Sequence, residues 1–272
     1  MRTLALLLAA ALLSGCSSLD DPELRVSPYL AVYQLRGETG MQSVDSANPP
    51  ALQDNPQQPL RSFGQDRFRE DVGVRVDFGD GFGGLRADYY KLDMNTSRRG
   101  TLEHDWGRLL EGDMVRIYAE MDELRAGYLA PFADFSFDYR ERDVRVQLAA
   151  GGVFASRRMR MRGNNEDNSR QQNLEINGDV IYGAIRARIG YGDVSLDVDY
   201  AIAPEDLVLS GDLEDVSQDL EARVTYQLPQ RDIQIFAGVR YSELQSSGEA
   251  NGFRHMTDMV IDGIQLGVSV TF

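Results

Sequence analysis

From residue 68 to the end of the chain, apolar and polar residues alternate. Val72, Val74, Val76 and Phe78 stand between Gly73, Arg75 and Asp77. Leu85, Ala87 and Tyr89 stand between Arg86, Asp88 and Tyr90. The same rhythm runs through Val194–Ile202, Leu220–Tyr226, Ile233–Tyr241 and Ile264–Phe272. A period of two gives each segment one apolar and one polar face, which is the signature of a β-strand, and it dominates over any helical period. The expected class is therefore all-β.

The connections alternate as well. Short turns are expected at 79–82, 131–134, 190–193 and 228–231, and long polar loops near 95–112, 160–173, 203–217 and 246–259. Short turns on one rim and long loops on the other are the pattern of an up-and-down barrel that crosses an outer membrane. Nine strands are counted from residue 68 onward. A closed antiparallel barrel with both ends on one side needs an even number, and Val26–Leu35, "VSPYLAVYQL", supplies the tenth. Residues 36–67 then form the first long polar loop. Apolar parity flips between Met121 and Leu124 and again between Tyr139 and Val144. Each flip fits a β-bulge or an additional turn. Turns would give twelve strands, whereas spanning strands of about 9–11 residues favour bulges and ten.

The polar faces carry ions of both signs: Arg75, Asp77, Arg86, Asp88, Arg116, Glu120, Arg145, Arg186, Arg188, Asp197, Asp199, Glu221, Arg223 and Arg240. In a narrow barrel these pair across the lumen and close it, because ten strands leave little room beyond what side chains fill. The ending "GIQLGVSVTF" resembles the terminal strand of bacterial outer-membrane barrel proteins, which alternates apolar residues and ends in Phe, here Phe272. The resemblance implies lipid outside the barrel, outer-membrane lipid and lipopolysaccharide as its surroundings, and barrel assembly machinery that reads the last strand. A soluble lipocalin-like barrel holding an apolar ligand has the same period with its faces exchanged, and is the competing architecture.

The amino terminus carries a different signal. Arg2 precedes an uncharged run from Leu4 to Leu13, too short for a bilayer span of about 20 residues. Leu13-Ser14-Gly15-Cys16 follows and resembles the bacterial lipobox. This implies a signal peptide over 1–15, lipid on Cys16, a tether over 16–25 and a barrel over 26–272. Ser17 and Ser18 lack the Asp that resembles an inner-membrane retention signal, so the lipoprotein sorting machinery is expected to deliver the chain to the periplasmic leaflet of the outer membrane. Cys16 is the only cysteine, so no thiol remains for a disulfide or a nucleophile.

Charge narrows the function further. The formal net charge is -15, with 43 acidic and 28 basic residues. Such a chain lacks the basic patch that nucleic acid demands. Lys91 is the only lysine; the other cations are arginines, whose planar forks suit carboxylates. Glu103, His104 and Asp105 are adjacent in a loop and do not make a convincing metal site. "HMTD" offers His255, Thr257 and Asp258 in places that resemble the His-x-Ser-Asn element of outer-membrane lipid hydrolases, with both Ser and Asn replaced. No cofactor motif is present. The expected role is structural or interactive, through long acidic extracellular loops, with the lipid hydrolase as the alternative.

The lipobox makes a direct prediction. Metabolic labelling with a radioactive fatty acid should mark the wild-type chain and leave Cys16→Ala unlabelled. Equal labelling of both would overturn the assignment.

Overall fold

In a computed structural model, the described residues are 22–272 except 66, 96, 141, 205–206, 212–216 and 230. The proposed signal peptide, Cys16 and most of the proposed tether lie outside them. Ten long strands carry the architecture. They are β1 (Glu23–Val44), β2 (Arg69–Gly79), β3 (Gly84–Asp93), β4 (Met114–Tyr139), β5 (Arg142–Asn165), β6 (Gln171–Tyr191), β7 (Val194–Ala203), β8 (Ser217–Gln227), β9 (Ile233–Ala250) and β10 (Phe253–Thr271). Each pairs antiparallel with its sequence neighbours, and β1 pairs with β10 from Arg25↔Thr271 to Met41↔His255, so the sheet closes on itself. The fold is a ten-stranded up-and-down barrel. Stepping from Leu35 through Ile261, Ser242, Asp219, Ala201, Ala184, Gly151, Leu129 and Gly84 leads back to the rim beside Glu23. One circuit thus climbs about twelve residues along β1, which tilts the strands by about 40°.

The two faces of the wall exchange character at one height. On β4, Val115, Ile117, Ala119 and Met121 point inward and are fully buried, while Arg116, Tyr118, Glu120 and Asp122 point outward. Two residues further on, Glu123 and Arg125 point inward and Leu124 points outward, 48% exposed. β6 does the same, with Leu174, Ile176, Val180 and Tyr182 buried inside above, and Arg186 inside and Ile185 outside below. β10 changes between Ile261, buried inside, and Ile264, exposed outside. The upper barrel is therefore apolar within and polar without. The lower barrel is the reverse.

This inversion explains the first parity flip. The strand continues unbroken through Met121–Leu124, paired with Met159–Ser156 on β5. Neither a bulge nor a turn occurs there, and what changes is the surroundings of each face. The second flip is a turn: Tyr139 pairs with Arg142. The turn expected at 131–134 is instead a register shift between Pro131 and Ala133, and β4 runs on to Tyr139. Proline is tolerated because β3 leaves β4 after Gly84↔Leu129, so no partner on that edge needs the missing N–H.

Two expected loops, 160–173 and 246–259, are also largely strand, and a third, 36–67, is strand in part. β5 reaches Asn165 and β6 begins at Gln171, so 160–173 is a hairpin with a short tip. There Asp167 accepts from the Ser169 hydroxyl (2.6 Å) and backbone N–H (3.0 Å), which holds its carboxyl below the usual range. β9 and β10 meet at Asn251-Gly252, where both residues have positive φ (55° and 82°), as a two-residue hairpin turn requires. Within 36–67, β1 continues to Val44. Its edge vacated by β2 above Tyr33 is taken by Gln58–Pro59 and, in parallel, Trp106–Gly107, while Leu52–Gln53 pairs with Ser43–Val44 on the opposite edge, above the end of the β10 ladder. Above β7, Val208–Gly211 pairs with β6.

The upper interior is filled by the segments before β2 and β4. Leu60 and Phe63 sit on a 3-10 turn, and Phe63 meets Trp106 edge-on at 5.2 Å. Trp106 and Leu109 face Gly163 of β5, where any Cβ would lie 2.9 Å from Leu109 Cδ1. Gln58 locks the two segments together: its Oε1 accepts from the Glu103 (2.8 Å) and His104 (3.2 Å) N–H groups, and its amide donates to the His104 carbonyl (3.0 Å). Truncating Trp106→Ala should cost about 3–5 kcal/mol by opening this plug. Val72→Ala, at a position 68% exposed on the lower outer face, should cost far less. The temperature at which each variant loses its folded gel mobility checks the ordering.

Candidate functional site

The lower lumen holds a charged network in three layers. Nearest the chain ends, Arg86 bridges Asp77 (2.5 Å) and Asp199 (3.0 Å), and Arg186 also holds Asp199 (2.5 Å). Arg188 pairs with Asp197 (2.6 Å), which Arg223 approaches at 3.6 Å. The β2–β3 turn folds into this mouth. Its Gly81 carbonyl accepts from Arg188 (2.8 Å) and Arg25 (3.3 Å), its Phe82 carbonyl accepts from Arg186 (2.8 Å), and the Phe82 ring lies 5.1 Å beneath Arg188.

In the middle layer Arg75 forks onto Glu221 (2.8 and 2.7 Å) and also holds Asp88 (2.8 Å), whose other oxygen accepts from Tyr29 OH (2.9 Å). In the upper layer Glu123 accepts from Arg125, Arg157 and, at 2.9 Å, Arg240. Asp219 bridges Arg125 (2.6 Å) and Arg240 (3.3 Å). The Arg240 guanidinium covers the Tyr90 ring at 4.6 Å, and Tyr182 lies 5.7 and 5.6 Å from Arg125 and Arg157. Alternation explains why they converge. Every one of these residues has the inward parity of its strand, and the partner strands place them at neighbouring heights. A void of about 70 Å³ remains among Arg75, Arg86, Arg125, Arg186 and Asp219, room for a few waters and no larger ligand.

The residues expected in the lumen do not all arrive there. Arg75, Asp77, Arg86, Asp88, Arg186, Arg188, Asp197, Asp199, Glu221, Arg223 and Arg240 lie in the network. Arg145 is at the lower rim, paired with Asp134 at 2.5 Å with both partly exposed. Arg116 and Glu120 are on the outer face, because they lie above the height at which the faces exchange. Glu123, Arg125, Arg157, Asp219 and Arg25 are further members. Asp219 shares the parity of Glu221 and Arg223, and Glu123 shares that of Arg125, so alternation carried the signal.

The hydrolase constellation comes apart on its strand. His255 and Thr257 point into the barrel, 2% and 3% exposed, and Thr257 Oγ1 lies 3.2 Å from Thr39 Oγ1. Asp258 points the opposite way, as neighbours on a β-strand do. Glu103 turns to the Ser62 hydroxyl (2.8 Å), and Asp105 to the Ser43 hydroxyl (3.2 Å) and the Glu111 N–H (2.7 Å). Among the described residues, no group of His, Cys, Asp and Glu converges on a metal position. Phe272 donates its N–H to Leu24 (2.8 Å) and leaves its ring 77% exposed on the outer face.

No family model matches the sequence, and no curated protein matches it. Among solved structures, it is similar to the outer-membrane protease OmpT of Escherichia coli, at 10% identity over 91% of this chain and 97% of that one, with a TM-score of 0.45. It is also similar to Ail, the attachment invasion locus protein of Yersinia pestis (9% identity, 89% and 97% covered, TM-score 0.27), and to the toluene transporter TodX of Pseudomonas putida (8%, 95% and 93%, TM-score 0.29). The ring of paired strands establishes the barrel independently of these values.

Glu123 is the keystone of the upper layer. Removing one partner of a buried pair leaves the others uncompensated and costs about 3–5 kcal/mol. Glu123→Ala, which strands three arginines, should therefore melt well below Asp134→Ala, which breaks an exposed pair worth about 0–1 kcal/mol. Equal melting would refute the network's role.

Proposed function

We propose that the chain is an outer-membrane barrel lipoprotein whose lumen is sealed and whose work is done by its upper, extracellular half. The inversion of the two faces carries this reading. On β10 the outward residues Ile264, Leu266, Val268, Val270 and Phe272 form an apolar run. Nine residues at about 40° tilt span about 23 Å, close to the apolar band of an outer-membrane barrel. Above it the outer face of the same strand carries Asp262, Asp258 and Arg254, with Val260 and Met256 between them, so the unbroken apolar run ends at Ile264. A soluble ligand carrier would keep its apolar face inside throughout, whereas this lower lumen holds paired charges and the upper one is packed solid.

Orientation follows from the ends. Glu23 and Phe272 share the rim with the short turns, so that rim is assigned to the periplasm, where lipid on Cys16 reaches the inner leaflet and the assembly machinery engages the strand ending in Phe272. The opposite end stands clear of the membrane by roughly half of each long strand. With the void at 70 Å³ and both mouths closed, transport by diffusion has no path. Interaction through the extracellular wall is the role that remains.

Single cysteines test the topology. In a Cys16-lipidated background, Ser169→Cys at the β5–β6 tip should react with a membrane-impermeant maleimide on intact cells, and Asp193→Cys at the β6–β7 turn only after the outer membrane is broken. The reverse pattern would overturn the orientation. In planar bilayers the refolded protein should show rare, small openings; steady conductance would refute the sealed lumen. Complete folding in buffer without detergent would remove the membrane reading altogether.

A further inference from the structure

On the outer face of β5, immediately above the apolar band, three arginines stand in line. Arg158, Arg160 and Arg162 alternate with Arg157, Met159 and Met161, which are buried inside. Below them on the same face are Ser156 and Phe154, the latter 37% exposed in the apolar band. An open groove of about 490 Å³ crosses this boundary: Leu124 and Tyr89, both exposed, line its apolar part, and Arg158 and Asn177 its polar part. A second groove of about 520 Å³ continues upward between Tyr118, Glu120, Arg160, Arg162, Asn173 and Glu175.

The partners of these arginines leave their charge available. Arg158 donates to the Asn177 side-chain oxygen (3.2 Å) and Arg162 to that of Gln171 (2.9 Å), both neutral. Arg160 meets Glu175 at 3.4 Å, with the two side chains 56% and 51% exposed, a pair too wet to hold its members tightly. Asp122, opposite Arg158, accepts from Tyr89 OH (3.3 Å). Glu120 and Glu175 flank Arg160 across the two ladders, and Asp122 and Asp179 line the lower groove, so the stripe is a line of cations edged by carboxylates; on β9 and β10 the upper outer face carries Glu243, Glu249, Asp258 and Asp262.

Resting on the membrane reading above, we propose that this face of β4–β6 binds a phosphorylated glycolipid of the outer leaflet. Its acyl chains lie against Leu124, Tyr89 and Phe154. Its phosphates meet the forks of Arg158, Arg160 and Arg162, which suit phosphate bidentately. A sugar headgroup, rather than a phospholipid, fits for two reasons. The stripe rises about 10 Å along the membrane normal, from four residues of a strand tilted by about 40°, more than one phosphate occupies. Asn164 stands above the arginines on β5, and Asn173, Asn177, Glu120 and Glu175 stand beside them on the neighbouring strands, the amides and carboxylates that hydrogen-bond sugar hydroxyls.

The test uses the full barrel folded in detergent, with Arg158→Gln, Arg160→Gln and Arg162→Gln combined, and Arg36→Gln on β1 as a control. Binding of diphosphoryl lipid A, dephosphorylated lipid A and phosphatidylglycerol is measured by native mass spectrometry. The triple variant should bind diphosphoryl lipid A at least ten-fold more weakly than wild type or Arg36→Gln, with dephosphorylated lipid A bound equally by all. Should the triple variant fail to fold, Arg160→Gln alone should show the same direction. Unchanged affinity for diphosphoryl lipid A would overturn the site. Phosphatidylglycerol bound as tightly, with the same arginine dependence, would overturn the glycolipid. Folding in the absence of detergent is read separately and bears on the membrane reading alone.

Discussion

Ring closure by backbone hydrogen bonds is the constraint on which everything else here depends. Because β1 pairs with both β2 and β10, no strand in the lower barrel relies on its side chains to satisfy an edge. In a hydrocarbon layer that satisfaction is obligatory, since an unpaired N–H or C=O there costs several kcal/mol. Once the backbone is closed, the two side-chain faces are free to answer to different surroundings, and to change their answer along a single strand. β4 does so between Met121 and Leu124 without a break in its ladder.

The lower lumen then has a filling problem. It is too narrow for a channel and too polar for a hydrophobic core, so long arginines occupy the volume and carboxylates neutralise them. Such pairs are tolerable only when each ion has several partners, because desolvating an ion costs more than one neighbour returns. The layering meets that condition: Glu123 has three arginines, Arg75 has two carboxylates, and Arg186 and Arg188 use carbonyls of the β2–β3 turn when acids run short. The turn is therefore both the end of a hairpin and the stopper of the mouth nearest the chain ends.

How much of this is legible in the sequence depends on which face is asked about. Alternation identifies the strands, their number and most of the lumen charges, since Arg75, Asp88, Glu221 and Arg223 each stand between two apolar or aromatic neighbours. The upper barrel is harder. There Arg158, Arg160 and Arg162 look like a polar loop, because polar residues outside and Met159 and Met161 inside invert the pattern set below. Asn251-Gly252 is a strong two-residue turn signal hidden in a polar stretch. Pro131 reads as a turn until the missing partner strand makes it harmless. Trp106 and Phe63 show no period at all, being placed by the cavity they fill rather than by their own segments.

The two halves of the interior are joined by tyrosines. Tyr29 points its hydroxyl to Asp88, Tyr33 accepts from Gln265 (2.6 Å), Tyr182 shares a hydrogen bond with Ser217 (2.9 Å), and Tyr90 lies under Arg240. All four side chains are buried, and the Tyr33 and Tyr90 rings meet edge-on at 5.9 Å. A tyrosine suits such a junction because its ring is apolar and its tip is not. The same logic places aromatic girdles where a membrane meets water, so the barrel carries inside itself the counterpart of the boundary on its outer face. Losing the plug would expose the rings to water, and losing the ion network would take Asp88 from the Tyr29 hydroxyl and the Arg240 guanidinium from the Tyr90 ring. The apolar core above and the charged lumen below are thereby coupled, and neither half of this barrel is expected to open without the other.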